Sequence, residues 1–349
     1  MGKQLAITIA LLLGTVQAQA QLLPFRSYSI EKGLSEAVVN DLMQDHEAYL
    51  WIATSYGLNR FDGIQFKNYY EEDGLLANKI YALYQDKQRR IWVGTAAGVN
   101  VIVEDSIRVL PQLGALQAGT VLEIFQDSRD RFWFATDGQG VFHWEESEKE
   151  LTRYTTGYGL AGNRVRDVVE SSDGTIWFGT REGLTSYSNG KFRSYTTGHG
   201  LPDNKIRDLM LDTDGTLWIA TRGGLSRMAG QSFVNLTEDE GLINNRIQSI
   251  SPDGEGGIWI GTEEGASHYT DEGTVRNYSV EQGLSNNIIY STLFDRERNI
   301  WFGTFGGGIN LFLGDHIKNF TVEEGLPNNV ITDITQDSEG RHWITSYGG

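Results

Sequence analysis

Asp212-Thr213-Asp214-Gly215-Thr216-Leu217-Trp218-Ile219-Ala220-Thr221 reads as a tight turn running into a short buried strand. Glycine at position 215 accepts the left-handed backbone that such a turn needs, and the residues around Trp218 suit a strand covered on both faces. The same unit recurs at Trp51, Trp92, Trp133, Trp177, Trp218, Trp259, Trp301 and Trp343, with spacings of 41, 41, 44, 41, 41, 42 and 42 residues. Short strands and glycine-bearing turns repeated at such a period are the signature of an all-β fold, a β-propeller with one blade per repeat.

Outward from Trp218, residues 206–211 read as strand a, 216–221 as strand b, 225–228 as strand c and 232–236 as strand d, predicting four-stranded antiparallel blades. The turn aspartate recurs at Asp45, Asp86, Asp127, Asp212, Asp253, Asp295 and Asp337, with Ser171 as the exception. A short carboxylate there accepts backbone N–H groups of its own turn, so a structural role is favoured over a metal role. The small residues two positions after the tryptophans, such as Ala53, Gly94, Gly179 and Gly303, let a neighbouring blade approach. Trp144 lies outside the pattern and receives no role.

Seven repeats, from Val38 to Phe320, contain all four strands, and the eighth stops just past strand b. Phe25-Arg26-Ser27-Tyr28-Ser29 matches the d strands Phe192–Thr196 and Phe66–Tyr70, with no a, b or c strand before it. We therefore expect a seven-bladed ring in which residues 25–29 complete the last blade. An eight-bladed ring closed the same way is the alternative, and it lacks one strand c.

Residues 1–20 have a basic start at Lys3, an apolar run and a small-x-small end at Ala18-Gln19-Ala20, which predicts a signal peptide and an exported protein. The propeller is expected over 21–329, with 330–349 as a partial eighth repeat that opens a further array or closes the ring. The chain has no cysteine, five prolines and 42 glycines, so its stability rests on a core and its glycines serve turns. A net charge of −17 without a basic block argues against nucleic acid as partner.

No catalytic or metal constellation is legible. The six histidines fall at different repeat positions, and there is no G-x-S-x-G, no nucleophilic cysteine and no phosphate loop. The reading is therefore a non-enzyme with no cofactor. A ligand is expected at the mouth of the central channel, where the d–a and b–c loops emerge. The candidate rim is Lys79, Arg164, Lys205 and Arg246 before the inner strands, and Arg181, Arg222, Tyr56 and Phe305 in the variable b–c loops. Their charges suit an acidic group and their rings suit a sugar face. Asn78, Asn163, Asn204, Asn245, Asn287 and Asn329 read as turn residues. Asp41, Glu123, Asp167 and Asp208 on the inner strands read as partners for the rim or for neighbouring backbone.

The unit G-L-x-x-N-x-[IV] followed by D-x-x-G-x-[ILF]-W-[IF]-G-T-x-x-G-[LI] resembles the two-component regulator propeller repeat, as at Gly325–Val330 with Asp337–Trp343; residues 113–121 of the third repeat depart from it. The resemblance implies the periplasmic input region of a membrane-spanning sensor whose ligand is often an oligosaccharide. It implies transmembrane and histidine kinase or other output regions as partners within a longer protein, and leaves room for a homodimer. The rival from another class is a secreted propeller enzyme, a polysaccharide lyase or glycosidase.

Overall fold

The computed structural model describes residues 25–230, 232–314, 331–336 and 342–346. Residues 25–314 belong to one compact unit. The hairpin of Ile331–Gln336 and His342–Ser346 belongs to a second. The expected signal peptide, Asn329 and the seventh repeat's own d strand lie outside the described residues.

The larger unit is a seven-bladed propeller of four-stranded antiparallel sheets. The inner a strands are Val39–Gln44, Ile80–Gln85, Val121–Gln126, Val165–Glu170, Ile206–Leu211, Ile247–Pro252 and Ile289–Phe294. Every b strand, from Leu50–Thr54 to Ile300–Thr304, is buried along its whole length, as a strand packed on both faces must be. In six blades c and d strands follow in order. In the seventh, Ile289–Phe294, Ile300–Thr304 and Ile309–Phe312 are joined by Phe25–Tyr28, which pairs Phe25 with Phe312 and Tyr28 with Ile309. The expected closure by the N-terminal strand is thus observed. It abolishes a free edge that would otherwise template association.

The core lies between blades. Trp51 of the first blade packs with Ile80, Leu83, Val93 and Ile102 of the second, and Trp301 and Ile309 of the seventh pack with Leu42, Ile52 and Phe61 of the first. The small residue after each tryptophan makes this approach feasible: a Cβ on Gly303 would stand 2.5 Å from Val39, and one on Gly179 2.7 Å from Ile206. Trp144 also has a place, buried with Trp92, Phe132, Leu113 and Leu116. Those leucines lie in the 3-10 segment Pro111–Ala118, which fills the site that a Gly-Leu pair fills in the other blades, for example Gly200-Leu201.

Candidate functional site

Each a strand carries a β-bulge one residue after its start. Val39 pairs with Thr54 and Asp41 with Ala53, so Asn40 has no partner across the pair, and the same shift recurs in all seven blades. A bulge re-aims the unpaired side chain, and here it turns one residue per blade onto the propeller axis. A cavity of about 540 Å³ occupies this axis, and all seven bulge residues line it. They divide by chemistry. Arg166 and Arg207 come from the fourth and fifth blades, and Tyr290, Asn40 and Tyr81 from the seventh, first and second, with Gln248 and Leu122 between them. In a closed ring of seven, the cationic pair faces the aromatic arc across the axis.

The residue after each bulge forms the next layer. Asp41 accepts from Leu42 N (2.8 Å) and from Leu83 N of the next blade (2.9 Å). Asp208 accepts from Leu209 N (2.9 Å) and Ile250 N (2.7 Å), and Asp167 from Val168 N (2.6 Å) and Leu209 N. These carboxylates stitch one inner strand to the next, as the alternative of bonding to neighbouring backbone anticipates. Burial pushes Asp41 up to about 7, with the charge of Asp167 adding to the effect. Burial and the charge of Asp167 likewise raise Glu123 and Asp208, and burial raises Asp167 itself. Among the described residues no group of three or more His, Asp or Glu side chains is placed to hold a metal.

Of the eight rim candidates, Lys79 and Phe305 line the cavity. Lys79 Nζ lies 5.2 Å from the Tyr81 ring centre, and Phe305 lies 5.5 Å from Tyr290. Tyr56 is exposed and packs on Tyr70 outside the cavity. Arg164 is paired with Asp137, and Arg222 and Arg246 share Glu263 at 3.3 and 3.1 Å. Among the described residues Arg181 and the exposed Lys205 have no ion-pair partner, and Arg181 contributes positive charge beside Arg166 and Arg207. The inner residues Arg166, Arg207, Tyr81 and Tyr290 were missing from the expected site. Their signal was the chemical variety at the position just before Asp41, Asp167 and Asp208, which only the bulge makes meaningful.

The expected turn role of the asparagines holds: Asn78, Asn163, Asn204, Asn245 and Asn287 each accept a backbone N–H from the 3-10 turn seven residues earlier, all at 2.8 Å. Their uniformity marks scaffold, in contrast to the varied bulge residues.

Comparison with known proteins adds an independent line. The family described as "Two component regulator propeller" matches residues 74–97, 159–182, 200–223, 241–264, 283–306 and 325–348. No curated protein matches the sequence. Among solved structures, the extracellular domain of the hybrid two component system BT3049 from B. thetaiotaomicron is 26% identical with a TM-score of 0.74, over 94% of this chain and 47% of that one. The extracellular domain of the one component system BT4673 from the same organism is 25% identical with a TM-score of 0.72, over 92% and 44%. The chain thus spans about half the length of these relatives. A virginiamycin B lyase from Staphylococcus aureus shares the fold at 13% identity and a TM-score of 0.67, over 82% of this chain and 98% of that one.

Proposed function

This chain belongs to the two component regulator propeller family, and on that premise we propose that it is the periplasmic ligand-sensing propeller of a two-component regulator, with an oligosaccharide as its ligand. The observation that carries the reading is the axial cavity, a concave site with aromatic and cationic walls on a rigid ring. Its volume of about 540 Å³ falls in the usual range of roughly 300–1,000 Å³ for ligand pockets. Tyr81, Tyr290 and Phe305 offer apolar faces to a pyranose ring, and Asn40, Gln248 and the arginines offer polar contacts at its edge. In this reading Lys79 joins the cavity wall, and Arg164, Lys205, Arg246, Arg181, Arg222 and Tyr56 form the outer approach.

Binding without turnover fits this wall better than catalysis. Among the described residues no histidine lines the cavity, and three of its four carboxyls, Asp41, Asp167 and Asp208, are engaged with backbone N–H groups. In the same reading residues 1–20 are a removed export signal, residues 330–349 begin a further repeat array, and membrane-spanning and output regions belong to a longer protein. Among the described residues no helix is long and apolar enough to cross a membrane.

Incubation of the mature chain with a panel of neutral and acidic oligosaccharides, followed by calorimetry and product analysis, tests the proposal. Saturable binding with the sugar recovered intact is the expected result. Cleavage products would move the protein to the lyase or glycosidase class.

A further inference from the structure

We propose that Arg166 and Arg207 form an oxyanion subsite in the wall of the axial cavity, so that the sugar recognised there carries a uronic carboxylate or a sulfate ester. The inference rests on the reading of the cavity as a sugar site and narrows its ligand class.

The two arginines occupy equivalent bulge positions on adjacent inner strands, so both are directed to the cavity by backbone geometry. Among the described residues neither has an ion-pair partner, and Arg166 Nε is buried with no hydrogen-bond partner. A buried guanidinium donor without an acceptor is costly, so its retention in a solvent-connected wall points to an acceptor that arrives with a ligand.

The nearby acids do not fill that role. Asp167 and Asp208, next in sequence to these arginines, direct their oxygens to the backbone N–H groups of Val168, Leu209 and Ile250. Asp137 is paired with Arg164, and Glu263 with Arg222, Arg246 and Gln248. What remains is a cluster of three cations, Arg166, Arg181 and Arg207, beside an inner layer of carboxyls, Asp41, Glu123, Asp167 and Asp208, that burial raises toward the neutral form. Burial together with the charges of Arg166, Arg222 and Arg181 pulls Arg207 down to about 10, and burial also lowers Arg166. Both are still cations at neutral pH, and a bound anion relieves the repulsion between them. Guanidinium groups match carboxylate and sulfate by paired N–H donors. The Thr292 and Ser249 hydroxyls, buried in the same cavity wall and without partners among the described residues, add donors for the remaining polar edge of a sugar.

The test uses the mature chain with galacturonate, glucuronate and galactose 6-sulfate as charged probes, galactose and glucose as neutral ones, and acetate and sulfate as bare ions. Affinities are read by ligand-observed NMR titration. We expect the charged sugars to bind about tenfold or more tightly than their neutral partners, and Arg166→Gln or Arg207→Gln to erase that preference. A preference for uronates over the sulfated sugar identifies a carboxylate, and the reverse a sulfate. Each variant is checked for an unchanged melting temperature, and Arg207→Lys, which keeps the charge but not the paired donors, should retain only part of the preference. Equal affinity for charged and neutral sugars would overturn the subsite and leave sugar sensing intact. Saturable binding of bare ions but of no sugar, lost in Arg207→Gln, would keep the subsite and overturn the sugar reading. Binding of none of the probes would overturn both.

Discussion

Trp51 donates its indole N–H to Asp45 Oδ2 across 2.6 Å, while Asp45 Oδ1 accepts from Glu47 N and Tyr49 N. One carboxylate therefore closes the a–b turn and fixes the tryptophan that fills the gap between blades. The arrangement repeats at Trp92 with Asp86, Trp133 with Asp127, Trp218 with Asp212 and Trp301 with Asp295. At Asp127 burial pushes the carboxyl up, but hydrogen bonds from Trp133 and Arg131 outweigh it and hold the group below its ordinary value. In the fourth blade Ser171 Oγ accepts from Trp177 at 3.2 Å. In the sixth, Asp253 is bonded to His268, whose ring stacks on Trp259 at 4.3 Å.

Removing the carboxylate should expose what it holds. Asp45→Ala leaves a buried indole N–H without its acceptor, which costs about 1–3 kcal/mol. Urea denaturation should show a midpoint lowered accordingly with an unchanged slope. A shift within experimental error would mean that neither the turn nor the tryptophan depends on Asp45 for stability.

Ring closure gives a second expectation. Phe25 is buried against Tyr278, Phe302 and Phe312, with ring centres 5.9, 5.8 and 5.3 Å away. Phe25→Ala should cost about 3–5 kcal/mol, the range for a large aromatic removed from a core. Deleting residues 330–349 should leave a single cooperative unfolding transition, because the seven blades are complete without them. Calorimetry showing a broadened or split transition in that deletion, and none for Phe25→Ala, would reverse the assignment of the closing strand.

The inner carboxylates make stability depend on pH with a defined sign. Asp41 rises from 3.8 to about 7 through burial, so the folded state binds its proton more tightly than the unfolded state does. Such a group favours folding fully below about pH 4, and that contribution fades as pH climbs to about 7. Glu123, Asp167 and Asp208 are raised in the same direction. Relative to wild type, Asp41→Asn should gain stability steadily between about pH 4 and pH 7 and level off above, because asparagine has no proton to lose. Parallel stability curves for the two proteins over that interval would show that Asp41 titrates near its ordinary value.

The architecture was legible because its cause repeats. A tryptophan every forty-odd residues and a small residue two after it recur in every blade of the ring, and a turn aspartate six residues before the tryptophan in all but the fourth, where Ser171 stands. The match of residues 25–29 to a d strand likewise disclosed the closure. The indole bond to Asp45 was not read, since the turn alone accounts for an aspartate at that position. The site was half legible. Positive residues in the loops were visible, but their neutralisation by Asp137 and Glu263 depends on which loops from adjacent blades meet. Arg166 and Arg207 sit beside residues that read as strand interior. A period-two strand would direct Arg166 and Asp167 to opposite faces, whereas the bulge between Val165 and Asp167 brings both to the cavity wall.

The placement of ligand recognition in the axial cavity, and not on the outer rim, is tested most directly by calorimetry with one oligosaccharide that binds the wild-type chain. Two double variants are compared, Tyr81→Ala with Tyr290→Ala in the cavity wall, and Arg164→Ala with Arg246→Ala on the rim. Loss of two stacking rings should weaken binding by about tenfold or more. The rim pair, already held by Asp137 and Glu263, should change affinity by no more than about threefold, in keeping with the small net worth of exposed ion pairs. Unchanged affinity in the cavity variant, with a large loss in the rim variant, would contradict the account and place recognition on the outer face.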